Sequence, residues 1–80
     1  MNELTKRAFA QIDGILDSMD ILEYSISPIE IMAGSFVVIF PIGAQMNPIH
    51  TLQTLQDIFL RSWNCVSFSI NGNNLVLTLI

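Results

Sequence analysis

Two segments at residues 65–70 and 75–80 have the alternating pattern of a β-hairpin. Asn71-Gly72-Asn73-Asn74 lies between them, and Asn-Gly supplies the positive φ that tight hairpin turns need. A two-residue and a four-residue loop predict the same faces, because the two registers differ by an even number of residues. One face carries Val66, Phe68, Ile70, Leu75, Leu77 and Leu79, and the other carries Cys65, Ser67, Ser69, Val76, Thr78 and Ile80.

Two other segments have helical periodicity. The first spans residues 2–20 with Asn2 as its N-cap, and the second runs from Asn47-Pro48 to about Ser62. The first predicted apolar face comprises Leu4, Ala8, Ile12, Ile15, Leu16 and Met19, with Phe9 at its border. The second is predicted to be buried and comprises Ile49, Leu52, Leu55, Phe59, Leu60 and Trp63. Gln56 points toward this apolar side, so we expect its amide to pair with a strand end or across an interface.

The middle of the chain predicts a second hairpin of residues 23–31 and 36–41. A turn at Ala33-Gly34 would place Ile31 opposite Phe36 and Ile29 opposite Val38. Pro28 lacks an N–H group and therefore favours an edge strand. A single long strand over residues 30–40 is the alternative interpretation.

The element order is therefore α-β-β-α-β-β within one domain, residues 1–80. The simplest packing is an α+β two-layer sandwich, with a four-stranded antiparallel sheet and both helices on one face. The strand order stays open.

The charge composition excludes several classes of protein. The net charge is −4 and the only cations are Lys6, Arg7 and Arg61, which argues against a nucleic-acid binder. The single cysteine, Cys65, excludes an intrachain disulfide framework. Acidic residues interrupt the N-terminal region, and Gly and Pro break the apolar region 31–49. We therefore expect neither a secretory signal nor a membrane span, and a cytoplasmic location.

Charged residues are absent from residues 31–56 and from residues 62–80. Natural sheets protect their exposed surfaces and edges with charges, so this gap predicts that another protein covers the sheet. The commonest solution is a homodimer, and strand addition at an open edge is another. The predicted dimer interface comprises Ser67, Ser69, Val76, Thr78 and Ile80. The alternatives are a structural subunit or escort protein of a larger assembly, and a small protein that simply exposes apolar area.

Four carboxylates follow one flank of the first helix toward and beyond its C-terminus: Asp13, Asp17, Asp20 and Glu23. A helix C-terminus is already negative, so this placement costs stability, and such a cost can mark function. We expect the acidic flank to bind a basic protein surface. A weak Ca²⁺ or Mg²⁺ site is the second interpretation, but the sequence lacks the glycine-containing loop of calcium sites. A solvated helix face is the third interpretation.

Candidate catalytic residues are few. His50, Asp57 and Arg61 share one face of the second helix with Thr54, where a His–Asp pair could orient a base, but no nucleophile lies nearby in the pattern. Cys65 has no adjacent cation or helix N-terminus to activate its thiol, and we expect it to be a small buried or interface residue.

The sequence predicts no catalytic residue, metal or cofactor. It predicts a non-enzymatic interaction module that occludes a partner, with the size and charge of inhibitors encoded by phages and mobile elements. A ligand binder or enzyme using His50, Asp57 and Arg61 is the last alternative.

Overall fold

A computed structural model describes residues 3–44 and 47–80 of the chain. The elements are α1 (Glu3–Ser18), β1 (Ser25–Pro28), β2 (Phe36–Pro41), a short 3₁₀ turn (Ile42–Ala44), α2 (Pro48–Phe59), β3 (Val66–Asn71) and β4 (Asn74–Leu79). This order confirms the predicted α+β fold. The predicted cap at Asn2 lies outside the described residues. Within the described ranges, neither helix is long and apolar enough to cross a membrane.

The four strands form one antiparallel sheet in the order β1-β2-β4-β3. The two central strands therefore come from different hairpins, and β1 and β3 are the edges. The buried side chains of α1 and α2 share one core with the alternate residues of the strands, so both helices cover the same face of the sheet. That core includes Ile12, Leu16, Phe36, Val38, Phe40, Leu52, Leu55, Phe59, Leu75, Leu77 and Leu79.

The first hairpin differs from the prediction in its register and in its turn. Pro28 pairs with Phe36, and Ile26 with Val38, so the predicted pairs of Ile29 and Ile31 are wrong. The long strand over residues 30–40 is wrong too, because β2 begins at Phe36. Strand β1 ends at Pro28, and residues 29–35 form a loop closed by a hydrogen bond of 2.9 Å from Ile29 N–H to the Ser35 oxygen.

The second hairpin confirms the predicted faces. Asn71 pairs with Asn74, which leaves Gly72-Asn73 as a two-residue turn. Gly72 has a φ of +62°, while Asn73 does not have a positive φ. A positive φ at the first central residue alone is typical of a type II′ turn, which only glycine enters without strain.

The helix caps and faces follow the prediction in part. Asn47 caps α2, because its side-chain oxygen accepts a hydrogen bond of 3.1 Å from His50 N–H. Ile49 and Leu60 are exposed, however, so their predicted burial is wrong, and Leu4 of the first apolar face is exposed too. Leu4 borders an open cleft of about 400 Å³ between α1 and the 29–35 loop. Ile49 and Leu60 lie on the flank of α2 that contains Gln56, and this flank reaches the open side of β3.

Candidate protein-interaction surfaces

Edge strand β3 leaves large apolar side chains uncovered on the helix side of the sheet. Val66, Phe68 and Ile70 share this face with the fully buried Leu75, Leu77 and Leu79 of β4. Val66 is 5% exposed, but Phe68 is 41% and Ile70 is 60% exposed. The two helices therefore cover the central strands and the start of β3, and they leave the rest of β3 open.

The hydrogen-bonding phase of β3 shows which main-chain groups face outward. Cys65 and Ile80 exchange both main-chain hydrogen bonds, at 2.9 Å each. Antiparallel pairs alternate between bonded and non-bonded positions, so Ser67, Ser69 and Asn71 direct their N–H and C=O groups toward β4. The corresponding groups of Phe68 and Ile70 point away from β4, to the side where no strand of the described residues lies. We call these groups, with the Phe68 and Ile70 side chains, the β3 edge.

The opposite edge of the sheet is protected in ways that β3 is not. Strand β1 has four residues. The hydrogen bond from Ile29 N–H to the Ser35 oxygen continues the alternation of the β1–β2 pairing. The same alternation places Pro28 at an outward-facing position, where proline has no N–H to offer. Glu23 and Glu30 flank the strand. Strand β3 has six residues and contains neither proline nor charge, so it lacks the usual devices against strand addition.

Gln56 of α2 occupies one end of β3. Its Nε2 donates a hydrogen bond of 2.8 Å to the main-chain oxygen of Val66. Of the two partners expected from the sequence, the strand end is therefore confirmed. Val66 is an outward-facing position by the same alternation, so this bond satisfies one carbonyl of the edge strand and leaves the groups of Phe68 and Ile70 free to bind.

The acidic flank, defined as Asp13, Asp17, Asp20 and Glu23, is anchored at one end by Tyr24. The Tyr24 hydroxyl donates a hydrogen bond of 2.6 Å to Oδ1 of Asp13. This bond to Asp13, with partial burial and the negative charges of Asp13 and Asp17, raises the pKa of Tyr24 to about 12. Asp13 is half-buried, and Asp17, Asp20 and Glu23 are exposed.

The C-terminus of α1 makes the acidic flank electrostatically unfavourable. Asp20 follows the helix with a φ of +59°, and Ile21 N–H bonds back to the Leu16 oxygen at 3.0 Å. Asp17 lies in the last turn of α1 and Asp20 just after it, where the helix dipole is negative. Within the part of the chain that the structure describes, the ion pair is between Arg7 and Glu3 at the other end of α1, and no cation pairs with the acidic flank.

The back of the sheet is open to solvent, opposite the helices. Ser67, Ser69 and Ile80 of the predicted dimer interface are exposed, and Val76 and Thr78 are half-buried. Val37 and Ile39 lie beside them as the register partners of Thr78 and Val76. The structure thus brings the five predicted residues together on one face. The pairing of two copies through this face stays a prediction.

The candidate catalytic residues are spread along an exposed face of α2. His50, Asp57 and Arg61 are exposed along α2. They line neither the 400 Å³ cleft nor a second cleft, of about 450 Å³, between the 29–35 loop and residues 62–64. Cys65 is exposed just before β3, so of its two predicted places burial is wrong, while a place in an interface stays a prediction. Among the described residues, no three His, Cys, Asp or Glu side chains form a metal site.

Strand addition at an open edge was among the expectations, but β3 was not identified as that edge. The sequence placed Phe68 and Ile70 on the core face, and alternation alone does not tell which strand of a hairpin lies at an edge. The signal that could have pointed to it is the absence of charge and proline from residues 65–71, set against Pro28 in the first hairpin.

No protein-family model matches the chain, and neither the curated proteins nor the solved structures contain a significant match. Its function must therefore be inferred from its own surfaces.

Proposed function

We propose that this chain is a non-enzymatic protein-interaction module whose principal binding surface is the β3 edge. The observation that carries this proposal is the difference between the two edges of one sheet. The β1 edge is short, ends in Pro28 and is flanked by acidic residues, whereas the β3 edge is longer and uncharged and exposes Phe68 and Ile70. Main-chain groups of an open edge bind an extended segment of another protein, and the alternate side chains give specificity.

The flank of α2 extends this surface. Ile49 is 65% and Leu60 is 45% exposed, on the flank that Gln56 fixes against the start of β3. Neither residue carries charge; Asp57 borders the flank at Leu60, and Arg61 lies further around the helix. A binding partner that adds a strand to β3 would therefore also cover apolar side chains of α2, and this burial would strengthen the main-chain contacts.

The proposal is tested by a photoreactive benzoylphenylalanine placed at position 70 in cells that produce the protein. We expect a discrete covalent adduct on irradiation. The same probe at position 57, on the exposed side of α2, is the matched control and should not give that adduct. Adding Phe68→Lys to the position-70 chain should abolish the adduct while circular dichroism stays unchanged. The proposal falls if position 70 gives no adduct, or if Phe68→Lys leaves the adduct intact in a folded protein.

The acidic flank supports a second binding function, occlusion of a basic protein surface. The specific observation is that Asp17, Asp20 and Glu23 are exposed beside a helix C-terminus, while Tyr24 holds Asp13 in place. Carboxylates that repel one another gain most from a partner rich in lysine and arginine. The inhibitor-type mechanism expected from the sequence would use this surface, which the β3 edge leaves free.

Charge reversal tests this second function. A chain with Asp17→Lys and Asp20→Lys should keep its fold and lose binding to a probe of polylysine peptide, and the loss should be largest at low salt. Glu3→Lys, at the other end of α1, makes a single reversal outside the acidic flank and is the control. If the double variant binds the peptide as the wild type does, the acidic flank is not the binding surface.

A further inference from the structure

We infer that the occupant of the β3 edge is a second copy of this chain, paired antiparallel about a two-fold axis at Ser69. This inference rests on the proposed function, because it names the partner of the same surface. The result would be a continuous sheet in which the two β3 strands are adjacent. The two-fold axis would stand perpendicular to the sheet, so both helical layers would lie on the same side.

The distribution of charge favours a second copy as the partner. Each chain has a net charge of −4, so two copies repel one another at most of their charged surface. Residues 62–80 contain no charged side chain, and neither do the α2 positions on the flank of Gln56, namely Ile49, Gln53 and Leu60. Two copies can therefore meet here without placing like charges together, and a two-fold interface requires a surface that complements itself.

The hydrogen-bonding phase and the bond from Gln56 limit the possible registers. With Ser69 on the axis, Phe68 lies opposite Ile70 of the second copy, and both positions have outward-facing N–H and C=O groups. Each Phe68 would then exchange both main-chain hydrogen bonds with the opposing Ile70. A register centred on Phe68 would instead require the Val66 oxygen, which already accepts the hydrogen bond from Gln56.

The same register pairs the exposed side chains productively. Phe68 and Ile70 of opposing strands become direct neighbours on the helix side, and aromatic–β-branched pairs stabilise adjacent strands. The exposed Ile49 and Leu60 of each copy face the same side of the interface, and approach of the second helical layer would cover them. The apolar area left open in one chain is thus closed by its own copy.

The inference is tested by measuring the molar mass of the purified full chain by light scattering over a dilution series. We expect a mass near twice 8.9 kDa at high concentration, falling toward 8.9 kDa on dilution. Ile70→Lys should raise the dissociation constant by about tenfold or more. Ile70→Pro should do the same, because it removes an N–H that points away from β4 and leaves the β3–β4 hydrogen bonds in place.

Thr78→Lys on the back of the sheet is the discriminating control, and it should leave the dimer unchanged. The inference is overturned if the wild type stays monomeric at every concentration, or if folded Ile70→Lys and Ile70→Pro chains remain dimeric. It is also overturned if Thr78→Lys alone dissociates the dimer, which would place the interface on the back of the sheet. A monomer whose position-70 probe still captures another protein would refute the second copy and leave the proposed function standing. If the crosslinking and the light-scattering experiments both fail, the proposed function and the second copy are both refuted.

Discussion

Gln56 in α2 and Val66 in β3 are joined by a hydrogen bond of 2.8 Å between a side-chain amide and a main-chain carbonyl that faces the open edge of the sheet. The contact joins α2 to the start of β3. It also terminates the row of edge groups at Val66, since an amide from the same chain occupies the position that a neighbouring strand would use. Gln56 thereby links the packing of the core to the position of the β3 edge.

Gln56→Leu should destabilise the fold by about 1 kcal/mol, the usual net value of one hydrogen bond. Leucine and glutamine have similar helix propensities, so the loss would reflect the bond to Val66. Urea unfolding at one fixed protein concentration measures it. Gln53→Leu, at an exposed position on the same flank, should change stability much less. Equal free energies of unfolding for the two variants would contradict this role of Gln56.

The Tyr24 hydroxyl should ionise at a higher pH than that of an ordinary tyrosine. It is the only tyrosine, so ultraviolet titration of the phenolate reports on it alone. We expect a pKa of about 12 in the wild type, and a lower value in Asp13→Ala, which removes the hydrogen bond and a nearby charge. Asp17→Ala should lower the pKa less, because Asp17 acts only through its charge. A Tyr24 pKa that is the same in Asp13→Ala and the wild type would refute the coupling.

The raised pKa of Tyr24 also predicts how stability depends on pH. The folded chain holds the Tyr24 proton more tightly than the unfolded chain, in which the pKa is 10.0. Its contribution to stability is therefore complete below pH 10 and is lost as the pH rises toward 12. The free energy of unfolding of Tyr24→Phe should fall less over this pH range, because phenylalanine has no proton to lose. If the free energies of unfolding of the two proteins fall equally over this pH range, Tyr24 is not the group responsible.

The elements that local pattern controls were predicted from the sequence. The β3–β4 hairpin followed from alternation around Gly72, and α2 began where Asn47 and Pro48 indicated. The first hairpin was predicted in the wrong register, because Ile29 and Ile31 continue an apolar pattern past Pro28 although β1 ends there. Alternation cannot show where such a strand ends, since hydrogen bonds within the 29–35 loop decide it.

The candidate sites were predictable to different degrees. The acidic flank depends on helical spacing and the local chain, so the sequence located it. The exposure of Phe68 depends on the strand order, which is a tertiary property. The residue pattern on β3 is that of a core strand, and only the placement of β2 beside β4 makes β3 an edge.

Two glycine substitutions should have opposite effects on stability. A Cβ at Gly14 or at Gly34 would meet no atom within 4 Å, so neither substitution causes a clash. Gly14 lies inside α1, and Gly14→Ala should stabilise the fold by about 1 kcal/mol through helix propensity. Gly34 has a φ of +83°, so Gly34→Ala should destabilise it by about 1–2 kcal/mol through backbone strain. Thermal and urea unfolding measure whether each variant is more or less stable than the wild type. A stabilising Gly34→Ala would show that the 29–35 loop adopts a different conformation.

Trp63 should hold the 29–35 loop against the core. Its Nε1 donates a hydrogen bond of 2.9 Å to the Gly34 oxygen, and its ring packs edge-to-face on Phe36 and Phe59. Trp63→Phe removes the donor and part of the ring, and should cost about 1–3 kcal/mol. It should also speed amide hydrogen exchange at Met32 and Ser35, whose N–H groups close the turns of the loop.

Phe59→Leu is the matched comparison for this loop. It removes ring packing against Trp63 but touches no bond to the loop, so it should lower global stability without a selective effect on those two amides. Native-state exchange monitored by NMR separates the two cases. If both variants accelerate exchange at Met32 and Ser35 equally, relative to their global stabilities, the loop does not depend on the Trp63–Gly34 bond. If only Trp63→Phe does so, the order of the loop is set by one indole N–H.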